Sequence, residues 1–175
     1  MNWTELLTKE MTANYNATEK MFGLLNDADL AWKPATGENW MTAGQLLHHL
    51  NHACGACCEG FVTGDWSMME GGDEDESVSE VMLPPADKLP TVDSVADALT
   101  AFKSDRKLAF QMIEKAGEEN LDCAMSAAPW SPQQQTNLGR HLLQMSQHLG
   151  THKAQLFYYL KLMGRKVDTM TLWGV

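Results

Sequence analysis

Apolar residues recur at helical spacing along four long stretches of this chain, and no alternating strand-like segment competes with them. In the first stretch, from Trp3 to Leu25, the stripe is Leu6, Leu7, Met11, Tyr15, Met21, Phe22 and Leu25. The third, from Asp93 to Ala116, turns Val95, Leu99, Phe102, Leu108, Met112 and Ile113 inward. A helix with one apolar stripe must bury it, and without a sheet its partners can only be other helices. The pattern therefore predicts an all-α fold, a four-helix bundle, folded as a single domain over residues 1–175.

The connections carry their own signals. Asn26-Asp27-Ala28-Asp29 ends the first helix, and Trp32 to Gly37 reads as loop. Thr42-Ala43-Gly44-Gln45 fits a capping box and opens the second helix, which should run to about Val62. A long connection between helices 2 and 3 follows, from Gly64 to about Val92, as a crossover between parallel neighbours requires. Its acidic run, Glu70, Asp73, Glu74, Asp75 and Glu76, reads as a solvated loop, because nothing fixes those carboxylates in a cage. Residues 120–137, with Pro129, Trp130 and Pro132, read as irregular. The fourth helix should span Leu138 to Met163 and stop at Gly164.

Charge and cysteine usage narrow the function classes. The formal net charge is -10, with no Lys/Arg cluster to follow a phosphate backbone, so no nucleic-acid partner is expected. No apolar run reaches membrane-spanning length, and the N-terminus lacks a basic region followed by an apolar run, so no membrane partner and no signal peptide are expected. Cys54, Cys57 and Cys58 bunch together far from Cys123, unlike a secreted disulfide framework; a cytoplasmic location is the simplest reading. Cys54 and Cys57 have the C-x-x-C spacing but sit inside the second helix, away from a strand-to-helix turn. Buried small hydrophobes are expected there, ahead of a redox pair or a zinc site.

The chemistry lies in the histidines. His148 and His152 are four residues apart on one helix, with Cβ atoms about 5–6 Å apart, close enough for two rings to share an ion. His48, His49 and His52 lie on the second helix. Helical phasing puts His49 at the edge of the buried face marked by Ala43, Leu46, Leu50, Cys54, Cys57 and Phe61. His152 lies within the margin of the stripe Leu142, Met145, Leu149, Leu156, Leu160 and Met163, and His148 just outside it. His49, His148 and His152 are thus the candidate metal ligands. His48, His52 and His141 read as solvent-touching or hydrogen-bonded rings. No general acid or base can be assigned.

Two motifs carry a resemblance. Trp40-Met41-Thr42-Ala43-Gly44-Gln45-Leu46-Leu47-His48-His49-Leu50 resembles the first motif of the DinB/YfiT-like superfamily, in which a Thr or Ser opens the second helix and a ligand histidine follows seven positions later, here His49. His148-Leu149-Gly150-Thr151-His152-Lys153-Ala154-Gln155-Leu156, with Tyr159, Leu160 and Gly164 beyond, resembles the second, in which both histidines bind metal and a basic residue, a small residue and Gln follow. The resemblance implies a DinB/YfiT-like four-helix bundle with a three-histidine site for a divalent metal ion: zinc, nickel or manganese. It further implies hydrolase or thiol-dependent transferase chemistry on a small-molecule substrate, with a low-molecular-weight thiol as co-substrate. The acidic insert and the cysteine cluster are not hallmarks of that family. The rival expectation is a non-catalytic helical binding or dimerisation module with structural histidines. A homodimer is expected from the apolar chain end at Leu172 and Trp173. Tyr158, Tyr159, Trp130 and Trp173 are candidates for a pocket wall or a subunit contact.

Overall fold

The computed structural model describes residues 2–66 and 85–175. Its helices are α1 (Trp3–Phe22), α2 (Ala43–Leu50), α3 (Gly55–Thr63), α4 (Val95–Cys123), α5 (Leu138–Leu162) and α6 (Thr169–Trp173). A two-stranded antiparallel sheet, β1 (Met125–Ala128) and β2 (Ser131–Asn137), stands between α4 and α5. The helical bundle expected from periodicity is present. The acidic run 70–76, expected to be a solvated loop, lies outside the described residues. Among the described residues no helix is long and apolar enough to cross a membrane.

Helix starts follow local chemistry. The side chains of Asn2, Ser94 and Asn137 accept from backbone N–H groups of α1, α4 and α5, satisfying donors that the helices cannot. At α2 the capping box forms as expected: Gln45 N donates to Thr42 Oγ1 at 3.2 Å, and Thr42 N donates to Gln45 Oε1 at 2.8 Å. Gln45 Nε2 also donates to the carbonyls of Ala86 and Leu89, so one side chain starts α2 and pins the returning chain. The stripes meet in one core, where Leu7, Met11, Tyr15, Phe22, Leu46, Leu50, Phe102, Leu142, Leu149, Leu156 and Leu160 are wholly buried. Phe102 packs its ring against Tyr15 and Phe22, with centroids 5.1 and 4.9 Å apart.

Three departures from the sequence reading bear on the site. The second helix is not continuous to Val62; it ends at Leu50, capped by Asn51, and restarts at Gly55. The restart is held by Asp105 of α4, whose Oδ2 accepts from Gly55 N at 3.0 Å and whose Oδ1 accepts from Ala56 N at 2.9 Å. Tyr15 Oη donates to the same carboxylate at 2.6 Å. A Cβ at Gly55 would run into the Asp105 backbone carbonyl, so only glycine allows α3 and α4 to come this close. The second departure is α4, which continues to Cys123 but breaks at Gly117 (φ 69°, ψ 159°), immediately past the expected end at Ala116. Beyond the break, Glu118 accepts from the backbone N–H groups of Trp3 and Thr4 and ties the start of α1 to α4.

The third departure is the hairpin, which occupies most of the stretch expected to be irregular. Met125 pairs with Asn137 and Ala127 with Gln135, and the register shifts between Ala127 and Ala128. Pro132 is tolerated because each strand of a two-stranded sheet has an open edge.

Candidate metal centre

His49 leaves the last turn of α2, and His148 and His152 leave one face of α5 a single turn apart. Their Nε2 atoms converge. His148 Nε2 lies 3.2 Å from His49 Nε2 and 3.1 Å from His152 Nε2. The three rings are partly buried and edge-to-face, with centroids 4.2–5.1 Å apart. Among the described residues this is the one group of three or more His, Cys, Asp or Glu side chains close enough to share an ion. The trio phased inward by helical arithmetic is the trio brought together.

The outward nitrogens are anchored. His148 Nδ1 lies 3.0 Å from the Ala53 carbonyl, and His152 Nδ1 lies 2.9 Å from Gln155 Oε1. A carbonyl can only accept, so His148 carries its proton on Nδ1 and turns a bare Nε2 lone pair towards the other two rings. Ala53 lies in the turn between α2 and α3, so the break capped by Asp105 leaves its carbonyl outside the helical ladder and free to accept.

Electrostatics keep His49 and His152 neutral. Burial, and then the neighbouring imidazoles of His152 and His148, push His49 down to about 3. Burial also lowers His152, opposed by its bond to Gln155. Neutral imidazoles are the protonation state that metal coordination needs. The donor set also passes a spacing test. Nitrogens at 2.0–2.1 Å from a tetrahedral ion stand roughly 3.3 Å apart, close to the separations of 3.1 and 3.2 Å here. With histidine anchors of the kind that orient metal ligands, the residues fit a divalent ion.

The other histidines do something else. His52 Nδ1 lies 3.1 Å from the His48 carbonyl, and the two rings are 5.1 Å apart and half-buried. His141 is the hydrogen-bonded case of the two expected: it is buried, its Nε2 lies 3.0 Å from the Ser126 carbonyl and its ring stacks on Phe61 at 4.1 Å. The hairpin supplies that lid, so an irregular reading of 120–137 left His141 uncovered.

Cys54, Cys57 and Cys58 are buried, as expected, but the reason changes. The break places Cys54 at the N-cap of α3, the position where a helix would activate a thiol. The Asp105 carboxylate occupies that N-terminus instead. Burial and the neighbouring Cys54 and Asp105 push the Cys57 thiol up to about 12. Of the four aromatic candidates, Tyr159 alone is buried; Trp130, Tyr158 and Trp173 are exposed.

Sequence reasoning missed Asp105 and the Ala53 carbonyl. Asp105 had a signal: three residues beyond Phe102, it is a charged residue on the apolar stripe of α4. The Ala53 carbonyl had none, since it exists as an acceptor only because the helix breaks.

Fold and geometry together define a helical-bundle protein with a three-histidine cluster suited to a divalent metal. The chain matches the DinB superfamily over residues 10–156, and it belongs to that family. Two solved structures share the fold. A DinB-like protein from Bacillus subtilis is 18% identical, with a TM-score of 0.65 over 93% of this chain and 94% of that one. A DinB-like protein from Bacillus cereus is 16% identical, with a TM-score of 0.68 over 94% and 95%. No curated protein matches the chain.

Proposed function

We propose that this chain is a metal-dependent enzyme of the DinB type, in which His49, His148 and His152 hold one divalent ion, zinc, nickel or manganese. The observation that carries the reading is the convergence of three Nε2 atoms from two helices around the lone pair of His148. Imidazole ligands suit zinc and nickel alike, so the ligand type leaves the choice of metal open. Three protein ligands leave positions for substrate. A divalent ion in such a site polarises a carbonyl or favours the deprotonated form of water or a thiol. The residues themselves bind and orient. Burial keeps His49 and His152 neutral, Ala53 aims His148, and Gln155 contacts His152.

The reaction we assign is hydrolysis or thiol-dependent transfer on a small molecule, with a low-molecular-weight thiol as co-substrate in the second case. Family resemblance supports that choice. The free cysteine thiols favour a cytoplasmic protein, and the exposed Trp173 and Met170 near the chain end favour a homodimer. A non-catalytic helical module is the rival. It is favoured by one fact, that 3.1 and 3.2 Å are also hydrogen-bond distances between rings.

Metal analysis of protein purified without a histidine tag separates the two. The enzyme reading expects about one equivalent of a divalent transition metal, lost when any one of the three histidines becomes alanine. Protein that neither carries nor takes up metal, or whose uptake survives those substitutions, sinks it.

A further inference from the structure

We infer that Gln155 and Tyr159 are positioning residues that choose the tautomer of His152, and so decide whether the three rings form a cation site or a closed hydrogen-bonded cluster. The inference deepens the metal reading above and rests on it. A backbone carbonyl fixes the first proton. Tyr159 Oη lies 2.8 Å from the Met41 carbonyl, which only accepts, so the single phenolic proton is spent there. Towards Gln155 the phenol oxygen can therefore only accept, and Gln155 Nε2 donates to it at 3.2 Å. That fixes the amide with Oε1 on the other side, 2.9 Å from His152 Nδ1. The ring must donate from Nδ1, and its Nε2 is left as a bare lone pair.

The consequence falls on the neighbouring ring. His148 already presents a bare Nε2, because its own proton is on the Ala53 carbonyl side. If His152 carried its proton on Nε2, it would donate across the 3.1 Å gap and the pair would satisfy itself. With both protons held outside, two lone pairs face each other at that distance. A positive species between them relieves that repulsion, and a divalent ion can also reach His49, whose Nε2 lies 3.2 Å from that of His148.

The relay is built to hold. His152, Gln155 and Tyr159 share one face of α5 at i, i+3 and i+7. Tyr159 is buried, with the rings of Trp32 and Trp40 edge-on to it at 5.2 and 6.3 Å. Its acceptor, Met41, immediately precedes the N-cap Thr42 of α2, the helix that carries His49. The tautomer of one ligand is thus tied to where the helix of another begins.

The test uses full-length, metal-free protein with ¹⁵N-labelled histidine, in which ring nitrogen shifts separate the two tautomers, followed by calorimetric titration with zinc(II). Wild-type His152 is expected with its proton on Nδ1. Gln155→Met keeps the bulk but removes the acceptor. It should release the Nε2–H tautomer and weaken zinc binding about 10–100-fold. Gln155→Glu restores an acceptor and should restore both readouts. Tyr159→Phe frees the amide to turn and should give a mixture of tautomers. Circular dichroism confirms folding of each variant, and the Met/Glu pair decides the question if Tyr159→Phe does not fold. A wild-type ring protonated on Nε2, or a Gln155→Met protein with unchanged tautomer and zinc affinity, overturns the inference. Tautomers that follow Gln155 in a protein that never binds zinc would uphold the relay and sink the metal reading instead.

Discussion

Asp105 offers the sharpest test of how this fold presents its histidines. Its carboxylate is buried and takes three hydrogen bonds, from Tyr15 Oη, Gly55 N and Ala56 N. Asp105→Ala leaves all three donors unpaired. At about 1–3 kcal/mol for each buried orphan, less what an entering water recovers, the loss should be about 3–5 kcal/mol. Asp105→Asn keeps one oxygen. Placed at the Oδ2 position it still serves Tyr15 and Gly55, so only the Ala56 N–H is orphaned, at about 1–3 kcal/mol. The order is therefore wild type, then Asn, then Ala, in urea denaturation with unchanged m. A pH series adds a second check. Burial pushes the Asp105 carboxyl up, against the pull of its hydrogen bonds. A raised folded value means that the folded state holds the extra proton, so this contribution to stability falls as pH rises through the window above the ordinary carboxylate range. The lead of wild type over Asp105→Asn should accordingly narrow as the pH rises above the ordinary carboxylate value of about 4. An Ala variant within about 1 kcal/mol of wild type, or one equal to Asn, would refute the claim that this carboxylate caps α3. Because the cap holds the turn carrying the Ala53 carbonyl, zinc affinity should fall in the Ala variant as well.

Further outcomes follow from the same structure. His49 is depressed to about 3, so the unfolded chain takes up a proton near its ordinary pKa while the folded chain does not. That stability is present above about pH 6.5 and lost on acidification; metal-free protein should lose about 2–3 kcal/mol between pH 7 and 4.5 beyond what His49→Gln loses. Equal acid slopes in urea titrations would count against it. Gly117 has φ 69°, and a Cβ there would meet only open space, so Gly117→Ala should cost backbone strain alone, about 1–3 kcal/mol. Thermal melts should show the drop, with no change in metal content. Aryl-disulfide titration of the native protein should find Cys123 reacting fast and Cys54, Cys57 and Cys58 only on unfolding, since those three are buried; a second fast thiol would contradict the packing.

Much of the bundle was legible because its signals are local. The stripes of α1, α4 and α5, the capping box at Thr42 and Gln45, and the stop at Gly164 each depend on residues within a turn or two of each other. The break in the second helix was not legible from its apolar face, which keeps its phase through Leu50, Cys54 and Cys57. Gly55 was a hint, but the break depends on Asp105, fifty residues away. The hairpin was missed because Ser126, Ala127 and Gln133 to Gln135 carry no apolar alternation, and two-stranded pairing does not require any. Which of the two expected states His141 takes, solvent-touching or hydrogen-bonded, was not legible for the same reason.

The chain by itself determined that helices would form, where most begin and end, and that His49, His148 and His152 would lie near the inward faces of two of them. Phase along a helix is a property of spacing, and spacing is written in the sequence. Only the tertiary structure decided that three Nε2 atoms would meet within hydrogen-bonding distance, and which way two of those rings would hold their protons. Those depend on the carbonyls of Ala53 and Met41, which every residue possesses and no residue type advertises. A backbone acceptor becomes specific only when the fold leaves it unpaired and aims it at a ring.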